Sequence, residues 1–122
     1  MYTDITQVRK TLKGIDSSII PNSSETEFSI DYAITKAGRI IDAHLGDQFE
    51  MPQPAPEAIV EIATELSASF CLEYLYSEEN GGFFETAHRK YRRAVELLTD
   101  IRNGKSSIGL EAKPDWEGLW VC

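Results

Sequence analysis

The sequence predicts an all-α fold, a small bundle of about four helices (one short, three long) with an extended C-terminal tail. Three observations carry this expectation. Apolar residues recur at steps of three and four over residues 30–45, 59–75 and 84–101, the repeat of a helix face and not the alternation of a strand. Helix punctuation flanks these stretches, with serine, proline or glycine near their ends. After Gly104 the helical repeat stops while bulky apolar residues continue. The organisation expected is a helical domain over residues 1–104 and an extended tail or arm over 105–122.

The first helix is short. Thr3 precedes "DITQVRKTL" as an N-cap, Asp4 sits in the first turn, Ile5, Val8 and Leu12 share a face, and Gly14 is the stop. Residues 15–28, rich in Ser, Asn and Pro, read as a connection that tucks Ile19 and Ile20 against the bundle. The second helix begins between Ser24, whose spacing to Glu27 suits a capping box, and Ser29. Its stripe is Ile30, Ala33, Ile34, Ala37, Ile41 and Leu45, with Asp31, Lys36, Arg39 and Asp42 outward.

Next comes "GDQFEMPQPAP". Pro52 and Pro54 bar a continuous helix, and Pro56 with Glu57 suits the opening of the next one. Phe49, Pro52, Pro54 and Pro56 thus form a stiff structural elbow, with Phe49 and Met51 as anchors at the bend. The third helix runs to about Ser77 with two apolar faces: Ile59, Ile62, Ala63, Leu66, Phe70 and Tyr74 on one, Val60, Ala68, Cys71, Leu72 and Leu75 on the other. A helix apolar on two sides belongs at the centre of the packing. "SEENGG" closes it, and the fourth helix carries Phe84, Ala87, Tyr91, Ala94, Leu98 and Ile101 before ending at Asn103 and Gly104.

Composition narrows the function classes. A chain of 122 residues can bury roughly two thirds of its unfolded surface, enough for a core without staples. Hydrophobic content of 42% and charged content of 26% suit a soluble globular domain. No apolar run approaches the about 18 residues that span a bilayer, and the start lacks the pattern of a secretory signal, so no membrane partner is expected. Two cysteines, Cys71 in a helical pattern and Cys122 at the last position, make no disulfide framework.

The formal charge of −8 opposes general affinity for nucleic acid. Its distribution is uneven: residues 82–105 carry +3 and the remainder −11. Arg89, Lys90, Arg92 and Arg93 therefore form a basic face on an acidic body. Opposite-signed surfaces on one chain attract a second copy head to tail, and such contacts close into rings when the rotation permits.

Catalytic and metal patterns fail on residue grounds. Glu85 and His88 have the spacing of two di-iron ligands, but the motif is needed twice and Ile41 stands three before His44, the only other histidine. Cys71 falls in an apolar stripe, where burial makes a thiol inert. Glycine-rich phosphate loops and nucleophile elbows are missing from the sequence. No enzyme activity, cofactor or metal is expected. The run "HRKYRRA" is most simply a solvated face, and the long helices with a six-residue linker do not match a helix-turn-helix.

The order of several features resembles a known family. Ile41-Asp42, Leu45, Phe49, Pro52 and Pro56, then Tyr91, Ala94, Leu97 or Leu98, Ile101, Gly104-Lys105 and Gly109, together with the opening "MYTDITQVRKTL", are similar to a head-tail connector (neck adaptor) family of Mu-like phages and prophages. The resemblance covers residue 2 to about 110 and leaves out residues 15–28 and the tail after Leu110. It implies an all-α structural protein of the virion neck, made in the host cytoplasm, that forms a homo-oligomeric ring between portal and tail-side neck proteins, with a channel for non-specific DNA passage. The alternative reading is a small nucleic-acid-associated module using the basic fourth helix.

The tail holds Ile108, Leu110, Trp116, Leu119 and Trp120, candidates for docking on a partner because tryptophan is favoured at interface centres. Docking on its own subunit is the other possibility. Deleting residues 111–122 is expected to leave the helical circular-dichroism signal and its melting cooperativity intact while impairing assembly. Unfolding of the truncated monomer would place the tail in the core.

Overall fold

The computed structural model describes residues 2–13, 20–52, 54–76, 82–104 and 111–112. Four helices account for the fold, so the all-α bundle is observed: α1 (Ile5–Thr11), α2 (Ile30–Leu45), α3 (Glu57–Tyr76) and α4 (Gly82–Arg102). Two two-residue strands, β1 (Phe49–Glu50) and β2 (Glu111–Ala112), pair antiparallel with Phe49 opposite Ala112. The tail's first described residues are thereby hydrogen-bonded to the elbow. Sequence pattern gives no hint of this, because two residues are too few to show an alternation. Gly14, Ile19, Gln53, residues 77–81, and the tail residues Ile108, Leu110, Trp116, Leu119 and Trp120 lie outside the described residues.

The first cap differs from expectation. Asp4, not Thr3, caps α1, with its carboxylate accepting from the Gln7 amide at 2.9 Å. Thr3 instead meets Thr64 of α3, hydroxyl to hydroxyl at 2.7 Å. Both residues are competent caps, and the tertiary contact decides between them. For α2 the start is Ser29, whose hydroxyl accepts from the Tyr32 amide at 3.1 Å. Ser24 accepts from the Glu27 amide at 3.0 Å, so the capping geometry forms there without a helix following it. The first two amides of α2 donate to the Pro21 and Asn22 carbonyls at 3.0 and 2.9 Å. Arg9 of α1 holds the same segment by donating to the Ile20 carbonyl at 2.6 Å and to Asn22 at 2.7 Å, and Ile20 is fully buried.

All six stripe residues of α2 are buried, and α3 is the element they pack on. From Ile62 to Leu72 every residue of α3 except Glu65 is buried. Several are small (Ala63, Ser67, Ala68, Ser69, Cys71), which lets neighbouring helices approach closely. Their hydroxyls are satisfied inside the helix: Ser67 donates to the Ala63 carbonyl and Ser69 to the Leu66 carbonyl, each at 2.7 Å, and Thr64 donates to the Val60 carbonyl at 2.8 Å. Buried polar groups therefore cost little here. At the C-terminal end of α3 the apolar face stops earlier than expected: Tyr74 is half exposed and stacks on Phe28 with ring centroids 4.5 Å apart. A tyrosine can pack one ring face and keep its hydroxyl in water.

α4 covers the other side with Ala87, Ala94, Leu98 and Ile101. Tyr91, expected on the buried stripe, is 37% exposed and rests against Phe70. Gly104 ends the helix with φ of 75°, a left-handed value that glycine adopts without penalty.

The ends of α2 and α4 are pinned together at the elbow. Arg102 donates to the His44 carbonyl at 2.8 Å, and the buried Gln48 side chain donates to the Arg102 carbonyl at 2.7 Å. Each contact satisfies a carbonyl left free at a helix C-terminus. Phe49, Met51 and Ala55 pack half-buried against the core.

Truncating the centre and the surface should separate cleanly. Leu66→Ala is expected to cost about 3 kcal/mol in urea unfolding through transfer and cavity terms, whereas Leu97→Ala, 40% exposed, should change it by less than about 0.5 kcal/mol.

Candidate functional site

α1 is seven residues long and α3 twenty, so α1 flanks the α3–α4 seam along only part of its length. A groove of about 810 Å³ lies where these three helices meet. Its apolar lining includes Ile62 from α3 and Ala94, Leu97 and Ile101 from α4. Cations stand around it: Lys10 in the last turn of α1, and Arg89, Lys90 and Arg93 one helical turn apart on α4. Glu61 and Glu65 of α3 also line it.

The four basic residues expected to share one face are divided by helix geometry. Arg89, Lys90 and Arg93 line the groove, while Arg92 belongs to a shallower concavity with His88, Tyr91, Val95 and Glu96. Lys90 is engaged: its ammonium lies 2.7 Å from a Glu65 carboxylate oxygen, with both side chains partly exposed. An exposed pair of this kind contributes about 0–1 kcal/mol. Among the described residues Arg89, Arg92 and Arg93 form no ion pair. Sequence reasoning missed Lys10, Glu61 and Glu65 as groove residues. The spacing of Glu61 and Glu65 puts them on one side of α3, but only the crossing of helices shows which basic residues they meet.

Phe49, Pro52, Pro54 and Pro56 form the connection between α2 and α3, with Phe49 in β1 and the Pro56 carbonyl accepting from the Ile59 and Val60 amides at 2.9 and 3.1 Å. A second feature absent from the sequence reading is an aromatic cluster of half-buried Phe28 with exposed Tyr32 and Tyr74, and Lys36 stands over the Phe70 ring at 4.4 Å. The α2 and α3 ends bring these residues together from distant positions.

No group of three or more His, Cys, Asp or Glu side chains suited to a metal occurs among the described residues. Glu85 and His88 are both exposed on α4. Cys71 is fully buried, and burial pushes its thiol up to about 12 against a smaller opposing effect of Arg9. Tyr2 is also raised to about 12, first by burial and then by its hydrogen bond to Asp42, which ties the N-terminal residues to α2. Among the described residues no helix is long and apolar enough to cross a membrane.

These features describe a small helical protein whose distinctive surface is a charged groove with an apolar floor. The family model described as Bacteriophage Mu, Gp36 matches residues 3–117, and the chain belongs to that family of phage proteins. The match continues past Leu110 through Trp116, so it takes in part of the tail that the sequence resemblance leaves out. No curated protein and no solved structure matches the chain.

The thiol gives a direct check on burial. In a Cys122→Ser variant, an aromatic disulfide reagent at neutral pH should react with Cys71 at least about a hundredfold faster in urea than in the native protein, because the buried thiol is both inaccessible and un-ionised.

Proposed function

We propose that the chain is a structural protein of the head-tail neck of a phage or prophage, a non-catalytic adaptor that assembles as a ring between portal and tail. Membership of the Bacteriophage Mu, Gp36 family supports the phage setting. The observation that carries the assembly reading is the asymmetric surface: arginines without ion pairs among the described residues stand on α4, while the chain outside residues 82–105 carries −11. A contact between two different, complementary patches is heterologous, the type that closes into rings. The elbow's role in this reading is to hold α2 against α3 at a set angle, so that every copy presents its patches alike.

Its partners are other copies of itself, the portal, and the tail-side neck proteins. It works in the virion neck after synthesis in the host cytoplasm. DNA passes the ring without being read, and a basic lining would ease that passage by screening phosphates. A sequence-reading role for α4 is less well supported, since Lys90 is occupied by Glu65 and Arg92 is turned away from Arg89 and Arg93.

Light scattering on the full chain at high concentration, and electron microscopy after mixing with purified portal, test the proposal. Ring-sized mass or decoration of the portal is the expected result. A chain that stays monomeric at high concentration and ignores portal overturns it. DNA binding that falls steeply with salt and is lost in an Arg89→Glu, Arg92→Glu, Arg93→Glu variant, without any assembly, would favour the nucleic-acid reading.

A further inference from the structure

We infer that the α1–α3–α4 groove is the seat for the C-terminal segment, residues 113–122, of a second copy of this chain. The inference rests on the ring-adaptor reading for the donor being a neighbouring copy. Its chemistry comes from the groove itself.

The groove combines an apolar lining with a cationic margin of which Lys90 is paired with Glu65 while Arg89 and Arg93 form no ion pair among the described residues. Leu97 stays 40% exposed beside buried Ile62, Ala94 and Ile101. A fitting occupant is apolar and acidic within a few residues. Residues 113–122, "KPDWEGLWVC", have that composition: Asp115 and Glu117 flank Trp116, and Leu119, Trp120 and Val121 follow. Carboxylates meet arginine forks with directional hydrogen bonds, and indole rings pack favourably beneath a guanidinium. Each aromatic ring can bury about 150–250 Å², and a volume of about 810 Å³ accommodates both tryptophans.

Length agrees with a donor from outside. The described chain ends at Ala112, held to Phe49 by the β1–β2 pairing. Ten further residues reach up to about 33 Å when extended, whereas the groove's α4 wall from Arg89 to Ile101 is about 18 Å long. The segment is therefore up to about 15 Å longer than the groove wall, a surplus available for crossing from one copy to the next. Because groove and segment are different parts of one chain, each copy offers one of each, the arrangement a closed ring requires.

The only two tryptophans of the chain, Trp116 and Trp120, are both in the segment, so intrinsic fluorescence of the full-length protein reports on its docking alone. Emission should shift to the blue as concentration, and mass by light scattering, rise together. Arg89→Glu with Arg93→Glu should weaken self-association by about tenfold or more and keep emission red-shifted, with helical circular dichroism unchanged. Adding Asp115→Lys and Glu117→Lys to that variant should restore both signals by reversing the charges on both sides. Blue-shifted emission independent of concentration overturns the inference by placing the segment on its own subunit. Assembly that proceeds unaffected by the groove substitutions also overturns it while leaving the ring reading intact, whereas absence of any assembly, alone or with portal, removes both.

Discussion

A helix that is apolar on more than one side is stable in water only when other elements surround it, and α3 places that condition on the whole chain. Its residues from Ile62 to Leu72, Glu65 excepted, are buried by α1, α2 and α4. Burial of Ser67 and Ser69 within that stretch is tolerable because each hydroxyl donates to a carbonyl of its own helix. The small side chains also allow close packing, so the cavity cost of losing a large one such as Leu66 is not easily relieved by relaxation. The groove follows from the same constraint. Three helices of unequal length cover the long central one unevenly, and the seam beyond short α1 stays open.

Charge is arranged differently from apolar surface, because it contributes little to stability where it is exposed. The Lys90–Glu65 contact is partly solvated, and Arg102 lies 3.8 Å from Asp47 at the other end of α4. Such pairs orient side chains more than they stabilise the fold. Arginines without ion pairs among the described residues instead create a local positive field on a chain of net charge −8, and a field of that kind acts on approaching partners. The groove thus joins an uncovered apolar strip around Leu97 to a margin that carries Lys10, Arg89, Lys90 and Arg93.

The elbow links these to the ends of the chain. Prolines prevent α2 and α3 from merging, but they do not by themselves set an angle. Arg102 and Gln48 donate to backbone carbonyls across the α2 and α4 ends and fasten these two ends together, while half-buried Phe49 and Met51 pack the connection against the core. Gly46 belongs to the same corner: a Cβ there would stand 2.6 Å from the Asp42 carbonyl oxygen, too close for any other residue without a backbone shift. The pairing of β1 with β2 then starts the tail from a defined place on the body.

Helix identities, the buried stripe of α2, the central position of α3 and the glycine stop of α4 were legible in the sequence, because each depends on residues three or four apart and on the local chemistry of helix ends. Kinship with a Mu-like phage protein was also legible, since it is written in the order of such local features. Other outcomes required distant residues to meet. The choice of Asp4 over Thr3 as a cap turned on Thr64, sixty-one positions from Thr3. The exposure of Tyr74 and Tyr91 reflects where neighbouring helices stop covering them, and the separation of Arg92 from Arg89 and Arg93 reflects how α4 sits on α3. Periodicity specifies which side of a helix is apolar, whereas the crossing and relative lengths of helices decide which edges of that side are closed and which remain open to a partner.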